Sequence, residues 1–281
     1  MNYETYFSKV KETSDYLKTK MDIKPKLLVV LTGGADVFLT LLTDQKILPF
    51  SEIPNFPATK AEGYAGNLVF GRLEGIPILA MQGRYHYCEG HSPQMVAFPY
   101  FVFADLGIKN LITTNVAGGI NSSYKSGDIV VIRDHINMMG TNPLIGITTQ
   151  KNTDQFTSMS NAYDESLRKL AFKVAEREKL ELRDSVFIGV SGPSYETKSE
   201  IKVFRMMGAD AVGMSSVFEV IACNYLKIKV LMLTCISNVA ADLHEGHISH
   251  TEVMNVISQT QTKLCNYIAS IIKELRPKLE N

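Results

Sequence analysis

Leu27-Leu28-Val29-Val30-Leu31, running straight into Thr32-Gly33-Gly34, is the stretch that decides the fold. Five apolar residues without polar alternation read as a strand covered on both faces, as in mixed or parallel sheets flanked by helices. The glycine pair then marks a turn. Working outward, residues 76–81, 111–114, 129–132, 186–190 and 230–236 read the same way. Between them lie helical patterns with recognisable starts. Thr197-x-x-Glu200, Ser216-x-x-Glu219 and Ser249-x-x-Glu252 each match the capping box, in which two orphan N–H groups are satisfied reciprocally. Residues 161–179 form a further amphipathic helix, and the polar stretch 140–160 reads as a loop able to act as a lid. The expectation is an α/β fold, one domain over residues 1–281 with a central mixed β-sheet flanked by helices.

The chain has 281 residues, with 29 Lys+Arg against 29 Asp+Glu, for a formal net charge of zero. That balance argues against a nucleic-acid binder, which carries a basic excess or stripe. A chain of this length buries about three quarters of its unfolded surface and needs no disulfide or metal staple. Its start, Met1-Asn2-Tyr3-Glu4-Thr5, has no basic region leading into an apolar run, so no signal peptide is expected. The apolar runs are strand-sized and too short to span a bilayer. The four cysteines, Cys88, Cys223, Cys235 and Cys265, form no CxxC pair. A soluble cytoplasmic protein without membrane partner follows as the expectation. No P-loop, no G-x-G-x-x-G after a strand and no G-x-S-x-G elbow is present, the nearest being Gly213-Met214-Ser215-Ser216-Val217.

Four constellations remain, each with a plain reading beside a chemical one. In Gly83-Arg84-Tyr85-His86-Tyr87-Cys88-Glu89-Gly90-His91, residues i and i+2 after a strand share a face. Arg84 and His86 are then either a solvated Arg and a half-buried His at a turn, or a pair for an oxyanion such as phosphate. Thr113-Thr114-Asn115-Val116-Ala117-Gly118-Gly119 is a plain turn, or a place where backbone N–H groups approach a ligand closely. Glu196, before Thr197, is either a partner of the helix dipole or an acceptor for a ring N–H of a ligand beside Tyr195. Asn238 is a turn former, or a donor–acceptor pair for a heterocycle edge. His244, His247 and His250 have H-x-x-H-x-x-H spacing, but they spread over about 120° of a helix that Gly246 interrupts, so no metal site is expected.

In this order these segments, with Gly127-Asp128-Ile129, Ile132-Arg133-Asp134-His135-Ile136-Asn137, Gly192-Pro193-Ser194-Tyr195-Glu196-Thr197 and Gly208-Ala209-Asp210-Ala211-Val212-Gly213-Met214-Ser215, resemble the trimeric purine nucleoside phosphorylases. The likeness extends from Leu27 to the C-terminal helix. It implies a phosphate site of Arg84, His86, Ser215 and the Val116 N–H, with Gly33 at the first glycine turn. It implies a base and sugar pocket of Tyr87, Ala117, Gly118, Tyr195, Val212, Gly213 and Met214. Glu196 and Asn238 would read the purine, His250 would meet the ribose 5′-hydroxyl, and Phe156 would be lent to the neighbouring site of a homotrimer. The implied catalytic residues are His86, Glu196 and Asn238.

The reaction implied is phosphorolysis of a purine N-glycosidic bond, with inorganic phosphate as co-substrate and no metal or organic cofactor. A carboxylate beside N1 accepts from the N1–H of a 6-oxopurine and repels the bare N1 of adenine, which favours inosine and guanosine over adenosine. Gly33 stands where the family has a serine, Tyr64 where it has a histidine and Cys88 where it has an aromatic. Loss of a donor at a buried anion site costs about 1–3 kcal/mol, so weakened phosphate affinity is expected. A nucleoside hydrolase and a nucleoside-binding protein are the rival readings.

Overall fold

The computed structural model describes residues 3–31, 36–57, 65–147, 156–239, 242 and 250–280. Gly33, Tyr64, His244 and His247 lie outside the described residues, as do the side chains of His250 and Glu252. In chain order the elements are α1 (Tyr3–Lys20), β1 (Leu27–Leu31), α2 (Asp36–Leu39), β2 (Thr43–Pro49), β3 (Asn67–Leu73), β4 (Ile76–Gln82), α3 (Pro93–Asp105), β5 (Asn110–Gly119) and β6 (Ile129–Met138). They continue with α4 (Glu165–Arg177), β7 (Arg183–Val190), α5 (Lys198–Met206), β8 (Ala211–Gly213), α6 (Val217–Tyr225), β9 (Lys229–Val239) and α7 (His250–Glu280).

β1 has the bounds its apolar run implies, and all five residues are fully buried. Alternate residues serve opposite faces. Leu28 and Val30 join the core under α1, α3 and α6, whereas Leu27, Val29 and Leu31 join the one under α2, α4 and α7. Each such side chain contributes about 1.5–3 kcal/mol when removed from water, which is why the run tolerates no polar residue. Among the described residues nine strands form one mixed sheet in the order β2-β3-β4-β1-β5-β8-β7-β6-β9. β9 also pairs in parallel with β5 along its length, from Asn110↔Lys229 to Gly119↔Val239. Strands β5, β8, β7, β6 and β9 therefore close into a ring, with β5 shared between the ring and the open half of the sheet. The architecture is α/β, a central mixed sheet flanked by helices.

Three expectations need correction. The stretch from Thr113 to Gly119 is not a turn: β5 continues through it, and Gly118 and Gly119 pair with both β8 and β9. The helix expected over 161–179 is shorter, starting at Glu165 because the Asp164 carboxylate caps it by accepting from the Leu167 N–H at 3.0 Å. At α6 the capping box does not form. Ser216 makes no side-chain cap bond, and its φ of 72° places it in the left-handed region, where a side chain is strained. Its hydroxyl and Glu219 are drawn instead to Arg84. The box at Thr197 does form, with Glu200 and Thr197 exchanging both bonds.

Candidate active site

Most of the candidate residues lie at strand ends. β4 finishes at Gln82, and Gly83, at φ 110°, turns the chain so that Arg84 passes beneath the neighbouring elements. Arg84 is only 1% exposed, which removes the solvated-Arg alternative. Its Nη1 donates to Ser216 Oγ at 2.8 Å and to both carboxylate oxygens of Glu219 at 3.2 and 3.3 Å. Its Nη2 donates to Thr113 Oγ1 at 3.3 Å and to the Thr114 carbonyl. One guanidinium thus ties the end of β4 to β5 and to the start of α6. Ser215 joins this group through its hydroxyl, 3.3 Å from that of Ser216.

His86 is half-buried, with Nδ1 2.5 Å from Glu89 Oε1, and His91 Nε2 lies 3.5 Å from the other oxygen of Glu89. Arg84, His86 and His91 thus each have a carboxylate against them. The ring of Tyr87 meets Phe218 of α6 edge-on at 5.5 Å. Burial, and then the Glu89 charge, pushes the Cys88 thiol up, so it stays neutral.

β5, β8 and β9 supply a second group. Val116 and Ala117 lie on β5, and Val116 O stands 3.2 Å from where a Cβ on Gly213 would be. A Cβ on Gly118 would meet Val212 Cγ1 at 3.4 Å and Asn238 Nδ2 at 3.5 Å, so a bare glycine leaves room between these side chains. Asn238 accepts from the Ser237 hydroxyl at 2.6 Å through Oδ1 and donates from Nδ2 to Val239 O at 2.9 Å. A third piece arrives from the loop after β7. Gly192 has φ 64°, and any Cβ there would stand 2.4 Å from Met214 Sδ and 3.3 Å from Cys88 Cβ. Only glycine lets that loop lie against Met214 and the His86–Glu89 turn. Four residues on, Glu196 is half-buried, and desolvation followed by the Glu200 charge raises its carboxyl above the usual range. Tyr195 beside it is 46% exposed.

The structure therefore gathers Arg84, Ser215, Val116, Gly213 and Met214 into one continuous set, with the Gly118, Val212 and Asn238 group continuing it along β5 and β8. Phe156 is different: it is 85% exposed, a ring this chain leaves facing solvent. Gly33 and the side chain of His250 lie outside the described residues. Two partners escaped the sequence reading. Ser237, whose hydroxyl donates to the Asn238 amide oxygen, carries no signal of that role in the sequence. The Ser216-x-x-Glu219 pattern reads as a cap, although the flanks of Glu219, Val217, Phe218, Val220 and Ile221, signal a buried carboxylate in need of a cation.

A profile of the Phosphorylase superfamily matches residues 28–273. Purine nucleoside phosphorylase 1 of Bacillus subtilis is 40% identical over 266 residues, covering 95% of this chain and 98% of that protein. The rat purine nucleoside phosphorylase is 36% identical, with 99% of each chain covered. Solved structures of Schistosoma mansoni purine nucleoside phosphorylase match too. The complex with inosine has a TM-score of 0.87 at 34% identity, over 95% of this chain and 96% of that one. The complex with adenosine has a TM-score of 0.86 at 33% identity, over 98% of each. The strand-end cluster sits inside the matched span, and on these grounds the chain belongs to the phosphorylase superfamily, as one of its purine nucleoside phosphorylases, enzymes of the pentosyltransferase class.

Proposed function

We propose that this enzyme cleaves 6-oxopurine nucleosides, ribo or deoxy, with inosine and guanosine as the expected substrates, giving free base and (deoxy)ribose 1-phosphate in purine salvage. A phosphate oxygen forms the new bond to C1′ as the bond from C1′ to N9 breaks, the electron pair of that bond leaves with the purine, and the proton that hydrogen phosphate sheds on forming the ester is balanced by one the purine takes up to become the free base. Arg84, His86, Ser215 and the Val116 N–H hold phosphate beside Gly33. Phosphate is both nucleophile and counter-charge to the oxocarbenium-like sugar, so positioning two substrates supplies much of the rate. Asn238 stabilises the charge growing on the purine at N7 and O6. Glu196 accepts from N1–H. Tyr87, Ala117, Gly118, Tyr195, Val212, Gly213 and Met214 line the nucleoside pocket, with His250 at the 5′-hydroxyl. One domain spanning residues 1–281 acts within a cytoplasmic homotrimer, each subunit lending Phe156 to the next.

The observation that carries this reading is the buried Arg84, fixed beside Ser215 in the strand-end cluster that continues to Asn238. The 6-oxopurine preference rests on Glu196 as an acceptor. The test is purine release from inosine, and separately adenosine, across a phosphate titration starting from none. Phosphate-dependent cleavage of inosine with little of adenosine is expected. Ribose release without phosphate would make the protein a hydrolase, and tight inosine binding without turnover would make it a binding protein. Preferred cleavage of adenosine would overturn the role given to Glu196. Activity is expected to survive exhaustive chelation, because phosphate is the only co-reactant the scheme uses; loss that zinc or magnesium restores would contradict it.

A further inference from the structure

Glu219 is the third residue of α6 and is 1% exposed between apolar neighbours. A carboxylate so placed needs a cation, and Arg84 supplies it. The geometry does more than neutralise charge. Ser216 and Glu219, one helical turn apart, clamp the same nitrogen, Nη1, while Thr113 and Thr114 of β5 hold Nη2. The guanidinium thereby takes the place of the reciprocal cap bonds that Ser216 and Glu219 would otherwise make, and the left-handed Ser216 is held by that contact. Tyr100 and Cys223 face the same carboxylate, and burial, then the Glu219 charge, pushes both well up. Neither contributes charge, so the balance at this point is between Arg84 and Glu219.

We propose that Glu219 is a positioning residue of the anion site: it fixes the plane of the Arg84 guanidinium and, through Ser216, the turn that presents Ser215, so that phosphate meets donors already assembled. This rests on the reading of Arg84 and Ser215 as phosphate ligands. Arg cannot shed its charge by deprotonation, so without the carboxylate the guanidinium must turn toward other acceptors. Donors aimed in advance at a charge need no reorganisation when it arrives.

The test is steady-state kinetics of the full-length enzyme with phosphate and inosine varied separately, for wild type, Glu219→Gln and Glu219→Asp. Glu219→Gln is expected to raise the KM for phosphate about tenfold or more and to lower kcat, with the KM for inosine changed less than about twofold. Glu219→Asp, which keeps the charge, should recover part of that loss. An unchanged or lowered phosphate KM in folded Glu219→Gln overturns the proposal, as does an equal rise in both KM values, which marks general loosening. If Glu219→Gln does not fold, Glu219→Asp decides by the same criterion. Thermal melting with inorganic phosphate alone gives a readout independent of turnover. The phosphate-induced rise in Tm should shrink in the variants, and an equal rise overturns the proposal. Wild type that responds to phosphate in melting but does not cleave inosine overturns the proposed reaction while leaving this inference standing. Wild type without any response to phosphate overturns both.

Discussion

Glu196 stands just before the Thr197 cap, where Glu200 already makes both reciprocal bonds. Its carboxyl is therefore not consumed by the helix start, and burial raises its pKa from the model-peptide value of 4.5. Only the ionised form accepts from N1–H. As pH falls through the raised pKa the group becomes a donor facing a donor, so the KM for inosine should climb on the acid side from above the ordinary carboxylate range. In Glu196→Gln that acid limb should vanish, with kcat/KM for inosine lower by about 10- to 100-fold, the worth of a hydrogen bond to a charged group. A pH profile of the wild type without this limb would remove Glu196 from the site. The sign for stability is opposite to that of an ordinary paired carboxylate. A raised folded-state pKa costs stability at neutral pH, and the cost disappears as pH drops below the unfolded value. Asn238 is constrained in another way. Val239 O can only accept, which fixes Nδ2 on its side, and the Ser237 hydroxyl donates to Oδ1. In the proposed pose that leaves one N–H to donate to O6 and one lone pair that accepts from N7 once N7 takes up a proton as the base leaves. Ser237→Ala is expected to lower the inosine-to-adenosine preference several-fold in kcat/KM, and an unaltered ratio would show that Val239 O alone suffices.

At the scale of elements, two S/T-x-x-E patterns that look alike in sequence diverge in the fold. Thr197→Ala removes a real capping box and should cost about 1 kcal/mol, a fall of about 2–4 °C in Tm by calorimetry, with little change in kinetics. Ser216→Ala removes no cap bond but takes an acceptor from Arg84, so its effect should fall on the phosphate KM; a purely thermal effect would contradict this. The pattern could not distinguish them because the difference lies in a residue 132 positions away. Strands that are short continuous apolar runs were legible: β1 entirely, and β4, β7 and β9 to within a few residues. α3 was missed because it is buried nearly all round, from Val96 to Phe103, and shows no stripe. β2 was missed for the opposite reason, five of its residues being exposed on the sheet edge. In α1 the buried row Tyr6, Val10, Thr13, Ser14 and Leu17 carries two hydroxyls in its middle, which blurs a helical period. The site followed the same logic. Strand-end Arg84 and Asn238 announce themselves by residue type, whereas Glu219 and Ser237 act through other side chains and acquire meaning only from contacts.

For the whole molecule, the exposed Phe156 gives the proposed trimer a signature beyond its mass in sedimentation. Phe156→Ala and Asn238→Ala are each expected to impair every site when expressed alone. In mixed trimers a subunit with its own Asn238 can receive Phe156 from an Asn238→Ala neighbour, so co-expression should recover activity that neither variant shows separately. No recovery in a verified mixed assembly would mean that each chain completes its own pocket. The shared ring has a different consequence, one of timing. β9, the last strand among the described residues, lies against β5 near the middle of the sheet, with Asn110 paired to Lys229, and it also pairs with β6. During translation β5 and β6 therefore leave the ribosome on the order of ten seconds before the strand that joins them. Throughout that interval the edges of β5 and β6 that β9 later covers have no native neighbour, although β1 already lies against the other edge of β5, and the nascent chain depends on chaperones or on speed to escape strand-to-strand aggregation. A ribosome stalled before codon 229 would thus hold every residue proposed to bind phosphate and no enzyme.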